Sequence, residues 1–349
     1  MRAFTLLCCI FLLLQPLRMA AQDDKICGTD AYHQRLLKSE PAYQRTRQEI
    51  KRKLKNFQAN DTPLPEKEVT IPVVFHVVTN GISAPENLSK WRIYDQLIAL
   101  NEEFARTVTD SMLGLQYPPQ WASIYSQDTR IRFCLANTDP NGKPTSGITR
   151  TMTEIPQFEP DSDIVKFTDM GGRDGWPRDD YLNVWICDLD STSGVAGYAT
   201  YPGGSAWFDG VVVDYYYFGR GDIPNLSPIQ NAGRTLVHEV GHWLDLIHVW
   251  GEENPVFDPT AADPDCTTDD EVGDTPLQAV PNLSCDYTVS CGSTDMLINF
   301  MNYSPDPCNL VFTREQARRM WATLSPGGFR YPVTQSDKGC RDIQMRQRE

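Results

Sequence analysis

The sequence predicts an α/β fold, a sheet packed with helices, followed by a loop-rich, disulfide-stapled remainder. Three observations point there. From Val69 to about Leu246, β-branched strand-like runs alternate with segments of helical period. After residue 250 the regular signals fade until Thr313. Four cysteines fall between 266 and 308 in a chain that begins like an exported one, and exported thiols tend to pair.

The elements follow in order. Arg2 precedes an apolar run from Ala3 to Leu14, then Gln15 and Pro16, with Ala20 and Ala21 suited to cleavage before Gln22. This is the pattern of a secretory signal peptide over residues 1–21, too short for a bilayer span of about 20 helical residues. No later segment is long enough to span a membrane, so a secreted, extracellular or periplasmic protein is expected. Cys8 and Cys9 leave with the signal, and eight cysteines remain.

Residues 22–68 carry ten Lys/Arg and eight Asp/Glu, a net of +2, whereas from Val69 on 20 basic against 38 acidic residues give −18. The stretch 40–57 reads as a basic helix, and Asn60 to Glu68 (NDTPLPEKE) is polar and proline-punctuated like a linker. A basic stretch ahead of an acidic domain in an exported chain reads as a removable pro-segment, 22–68. The acidic balance argues against a nucleic-acid binder.

From Val69 to Val78 (VTIPVVFHVV) the chain is strand-like. Trp91 to Val108 places Ile93, Leu97, Leu100 and Phe104 at helical spacing. Arg130–Ala136, Tyr181–Leu189, Gly194–Tyr201 and Gly210–Tyr217 read as strands, and Asn231–Leu246 as a helix. Thr313–Leu324 closes the pattern as a helix with Thr313 as N-cap and Gln316 at the capping-box position. The domain is expected over 69–341, split near 248, with a tail at 342–349.

The chemistry sits in HEVGHWLDLIH, residues 238–248. His238 and His242 are four apart, so a helix projects both imidazoles from one face. His248 joins them if the helix stops and the chain turns back. Three imidazoles with one open position describe a catalytic rather than a structural zinc site, and adjacent Glu239 can reach a water held there. His76, mid-strand, reads as structural, and His33 has no evident partner.

These residues resemble the metzincin metallopeptidases, whose pattern is HExxHxxGxxH, and more closely the cytophagalysin branch of the pappalysin family. IPVVFHVV, YLNVWICDL, GYATYPGG, DGVVV, DDEVGDTP and NFMNYSPDPCNLVFTREQARRM match as well, in order, over roughly Cys27 to Leu324. The resemblance implies a metzincin fold: a twisted mixed sheet and active-site helix in an N-terminal subdomain, and a loop-rich, disulfide-stapled C-terminal one. It implies a zinc endopeptidase acting on proteins or peptides, with Glu239 as general base, made as a latent zymogen and expected to be a monomer. Gly194–Tyr201 resembles the edge strand along which such enzymes align substrate.

The resemblance also assigns residues. Met301 matches the Met-turn methionine beneath the zinc, and Tyr303 a tyrosine that approaches the metal or the developing oxyanion. Cys266–Cys291 and Cys285–Cys308 are the implied disulfides. Asp270 and Thr275 match calcium ligands, and Asp274 and Asp269 add hard oxygens beside them; a solvated acidic loop is the other reading. Asp306 is the nearest acidic residue for an S1′ pocket selecting Arg or Lys at P1′. Cys27 could close the zinc site as a latency switch, with Asp30 or Asp24 as substitutes, or pair with Cys134, Cys187 or Cys340. The family's glycine is Asp245 here, in a turn needing a left-handed backbone, at a cost on the order of 1 kcal/mol. The alternative to a peptidase is an inactive secreted zinc- and calcium-binding adhesion protein, against which the intact Glu239 weighs.

Overall fold

The computed structural model describes residues 27–59, 63–107, 121, 123–126, 128–221, 223–251 and 266–339. The signal sequence, Asp24, Cys340 and the 342–349 tail lie outside them.

Helices α1 (Thr29–Ser39) and α2 (Pro41–Ala59) come first. The domain proper opens with β1 (Val69–Thr79), α3 (Lys90–Ala105), β2 (Ile131–Leu135), β3 (Ile148–Met152), β4 (Leu182–Cys187), β5 (Gly197–Ala199) and β6 (Val211–Asp214). Helix α4 (Arg234–Trp243) follows, and after the 266–312 loops comes α5 (Arg314–Leu324).

The sheet has six strands in the order β2-β1-β4-β6-β5, with β3 on the far half of β1. Its long strand β1 serves two partners on one side: Val69–Val73 pair with β2 and Phe75–Thr79 with β3. Strands β1, β2, β3, β4 and β6 run parallel, and only β5 is antiparallel, with Tyr198 opposite Val212. Parallel strands are covered on both faces. Accordingly Ile71 to Thr79 of β1 and all of β4 are buried. The mixed sheet expected of this fold is present.

Helix α3 buries the expected stripe, Ile93, Leu97, Leu100 and Phe104, against the sheet. Ser89 caps it by accepting from Arg92 N. Helix α4 is buried at all ten residues, so packing rather than propensity holds it. Helix α5 starts with the capping box expected at Thr313 and Gln316.

Several expectations shift. The helix read at 231–246 spans only Arg234–Trp243. The strand read at 210–217 ends at Asp214, whose side chain accepts from Tyr216 N and turns Tyr215–Tyr217 into a single 3-10 turn. Strand β3 and helix α1 were not expected. His33 has a partner: its Nδ1 meets the Tyr43 hydroxyl at 2.6 Å. His76 is structural as read, held between Thr149 and Asn183.

In the loop-rich half, Cys266–Cys291 and Cys285–Cys308 are bonded, with Cα separations of 5.5 and 5.7 Å. Cys134 is also disulfide-bonded, whereas Cys27 and Cys187 are free thiols. The alternative disulfide for Cys27 therefore does not form, and the odd thiol is Cys187, buried in the sheet. Among the described residues no helix is long and apolar enough to cross a membrane.

Candidate active site

Helix α4 delivers His238 and His242 one turn apart. It then ends in a tight C-cap: Leu246 N donates to Gly241 O and Asp245 N to His242 O, both at 2.9 Å. This is the 6→1 and 5→2 pattern of a Schellman motif. Its left-handed residue is Asp245, at φ 76°, where the family pattern has glycine. The reversal carries His248 back beneath the helix.

The three imidazoles then converge. Their Nε2 atoms are 3.0, 3.1 and 3.2 Å apart. Each Nδ1 is engaged elsewhere: His238 with Phe300 O at 2.6 Å, His242 with Leu246 O at 2.7 Å, and His248 with Asp30 Oδ2 at 2.7 Å. With Nδ1 carrying the proton, each Nε2 presents a bare lone pair toward the other two. Burial and mutual repulsion hold His238 down to about 3 and His242 well below the usual imidazole range. For these two imidazoles protonation does not relieve the convergence, whereas a metal cation would.

The spacing fits the ion. Tetrahedral zinc with bonds of about 2.05 Å sets its nitrogens about 3.3 Å apart. Cys27 Sγ lies 3.5 Å from His242 Nε2, where a thiolate bond of about 2.3 Å would set sulfur about 3.6 Å from nitrogen. Among the described residues, Cys27, His238, His242 and His248 are the one group of three or more His, Cys, Asp or Glu side chains whose ligand atoms all converge within 4.8 Å. Burial and the neighbouring Glu239 push the Cys27 thiol up, a bias that a metal cation reverses.

Glu239 is fully buried, and burial pushes it up to about 8. Its Oε2 accepts from Thr29 Oγ1 at 2.9 Å, while Oε1 has no partner. Met301 lies under α4: a Cβ on Gly241 would stand 2.6 Å from its Sδ, which explains why the helix carries glycine there. Tyr303 packs on His248 and Trp250, and burial keeps its phenol protonated and able to donate. Its hydroxyl meets Cys27 O at 3.4 Å.

Asp306 lies in a small cavity with His238, Glu239 and Tyr303. Its Oδ2 accepts from Ala232 N at 2.6 Å, its Oδ1 is buried without a partner, and burial pushes it up to about 6. Asp270 and Asp274 lie elsewhere, near the start of α5. Thr275 Oγ1 donates to Asp270 Oδ1 at 2.6 Å, and Asp274 Oδ2 accepts from Glu315 N. Asp270 Oδ2 and Asp274 Oδ1 are buried and unpartnered.

The roles of Thr29 and Asp30 are not legible in the sequence. Thr29 Oγ1 also accepts from Ala199 N, and Gly28 N donates to Gly197 O, both at 2.9 Å. Residues 27–29 thus run along β5, parallel to it, and Asp30 lies behind His248 rather than on the metal side. Only the nearness of Thr29 and Asp30 to Cys27 in sequence could have suggested this.

The comparisons agree with this geometry. A family model described as pregnancy-associated plasma protein-A, peptidase family M43, matches residues 168–325. The solved structure of mature Tannerella forsythia mirolysin with a cleaved peptide is 37% identical and covers 77% of this chain and 97% of its own, with a TM-score of 0.69. The chain belongs to this family. Mutant Tannerella forsythia promirolysin is 33% identical and covers 89% of this chain and 97% of its own, with a TM-score of 0.75. An extracellular metalloprotease of Colletotrichum graminicola is 26% identical over 290 residues, which span 78% of this chain and 84% of its own. The pappalysin-family chain is a zinc metalloendopeptidase.

Proposed function

We propose that this chain is a secreted zinc endopeptidase made latent by residues 22–68, with Cys27 closing the metal site and Glu239 as general base. The observation that carries this is the position of residues 27–29. Cys27 Sγ stands where a fourth ligand belongs, and Thr29 Oγ1 occupies both Glu239 and the β5 amide of Ala199. All three functions that hydrolysis needs are blocked by one short stretch. Its course along β5 supports the reading, since this strand resembles the edge along which such enzymes align substrate.

His238, His242 and His248 would hold zinc, which when bound polarises the scissile carbonyl and acidifies water. Glu239 takes a proton at Oε1 or Oε2 and returns it to the leaving amine. Burial in the intact chain pushes its carboxyl up, the direction a base working near neutral pH needs. Tyr303, kept protonated, donates to the developing oxyanion. Met301 supports α4 from below.

Asp306 would select Arg or Lys at P1′. The free, buried Oδ1 in the cavity beside His238 and Glu239 supports this, because a guanidinium is the natural partner of such an oxygen. Calcium at Asp270, Asp274 and Thr275 is supported by two buried carboxylate oxygens that lack any donor. The boundaries 1–21, 22–68 and 69–341 belong to the same reading.

The test is hydrolysis of casein and of quenched Arg-containing peptides by the processed chain, wild type beside Glu239→Gln. Activity confined to wild type, with zinc bound in both, supports it. Equal activity in both would reject Glu239 as the base.

A further inference from the structure

Arg47 of α2 is buried deep against the rest of the protein, 2% exposed. Its Nη1 donates to Asp245 Oδ1 and, at 3.1 Å, to the carbonyl of Pro202. Its guanidinium lies over the Tyr201 ring, 5.0 Å from the centroid. A carboxylate, a carbonyl and an aromatic face are the three things a planar guanidinium recognises. All three come from outside the pro-segment. Gly203, at φ 112°, keeps the wall open: a Cβ there would crowd Thr46, Arg47 and Ile50 of α2.

The pocket is tied to the zinc site. Asp245 is the left-handed residue of the turn between His242 and His248. Tyr201 Oη lies 3.2 Å from His242 Nδ1. Behind Asp245, Arg319 Nη2 stands 3.6 Å from Oδ2, and Arg319 Nε donates to Asp245 O at 2.6 Å. Asp245 is thus fixed from the rear by one arginine and capped in front by another. The glycine of the family pattern offers no carboxylate here, so the departure that strains the turn also creates this pocket. The same face of α2 adds Lys51 to Glu271 at 3.4 Å and Gln58 Nε2 to Glu271 O at 2.9 Å.

We propose that Asp245, Tyr201 and the Pro202 carbonyl form a guanidinium-binding site, separate from the zinc and P1′ sites, whose resident ligand Arg47 clamps the pro-segment down. Cys27 closes the metal site and this clamp holds α2, so latency rests on two anchors. The role in latency depends on the zymogen reading above, whereas the site itself does not.

Full-length Arg47→Ala, Arg47→Lys and Asp245→Gly variants test it by hydrogen exchange of residues 41–59 and by the rate at which activity appears. Asp245→Gly suits the positive φ, so it guards against misfolding. Burial of the pair predicts at least about tenfold faster exchange and activation in Arg47→Ala. Arg47→Lys should fall between wild type and Arg47→Ala, since an ammonium can still reach Asp245 and the Pro202 carbonyl but does not stack a plane on the Tyr201 ring. Arg47→Ala added to Asp245→Gly should change less than Arg47→Ala does in wild type, since only the Pro202 and Tyr201 contacts are left to lose. Wild-type exchange in Arg47→Ala, full retention by Arg47→Lys, or additive effects of the two variants would each overturn the site. If the intact wild-type chain is already fully active, the latency reading fails, and the exchange data alone still decide the site.

Discussion

Gly241 is the position where one methyl group tests the packing under the zinc helix. In Gly241→Ala the new Cβ would stand 2.6 Å from Met301 Sδ, and 3.5 Å from both Met301 Cε and Leu246 Cδ1. A relaxed carbon–sulfur contact needs about 1 Å more, and Met301 is fully buried, so it has little room to retreat. Overpacking of this kind costs about 1–3 kcal/mol, against which alanine in a helix returns about 1 kcal/mol. The expected net is a loss of up to about 2 kcal/mol, with kcat/KM falling because the displaced methionine tilts His238 and His242. Chemical denaturation and peptide hydrolysis of the processed chain read the two effects. Met301→Ala alone should cost about 2–5 kcal/mol, and less in the Gly241→Ala background, with a coupling above about 0.5 kcal/mol. If Gly241→Ala is instead about 1 kcal/mol more stable with unchanged kcat/KM, Met301 does not press on the helix and the reasoning is wrong.

Five further outcomes are expected. Full-length Cys27→Ser should hydrolyse peptides without processing, while intact wild type stays silent in the same assay. Asp306→Asn should lower kcat/KM for Arg P1′ peptides by about ten- to a hundredfold and leave apolar P1′ peptides less affected. Opening Cys266–Cys291 by a double Cys→Ala change should cost about 2–4 kcal/mol in denaturant titration, and calcium should raise Tm only while Asp270 is intact. Burial holds His76 down from 6.5 to about 4, so the unfolded chain binds the extra proton in that interval. Stability should therefore rise with pH across it, lose about 3 kcal/mol as pH falls from 6.5 to 4, and lose that slope in His76→Gln.

How much of this could be read from the residues depends on which force set each element. The stripe Ile93, Leu97, Leu100 and Phe104 announced α3 because one buried face against a sheet imposes a helical period. The capping box at Thr313 and Gln316 is local chemistry and was legible for the same reason. Strand β3 was not, because ITRTM alternates weakly and is placed by pairing with the far half of β1, a long-range contact. The 210–217 run was overextended because Asp214 redirects the backbone through its own side chain.

At the site, the spacing of His238, His242 and His248 carried the metal geometry, because a helix and one turn fix it. The partners behind those histidines were not legible, since Phe300, Leu246 and Asp30 come from separate segments. Asp245 was read correctly as a left-handed turn residue. Its carboxylate's pairing with Arg47 and Arg319 is a tertiary fact with no local signature. The cysteine count did not close in sequence, and the buried free thiol of Cys187 is what closes it.

The most direct test of the central claim is zinc X-ray absorption on the intact and the processed chain. The account predicts three imidazole nitrogens plus one sulfur at about 2.3 Å in the intact chain, with the sulfur gone after processing and in Cys27→Ser. A site of nitrogen and oxygen alone in the intact wild-type chain would contradict it.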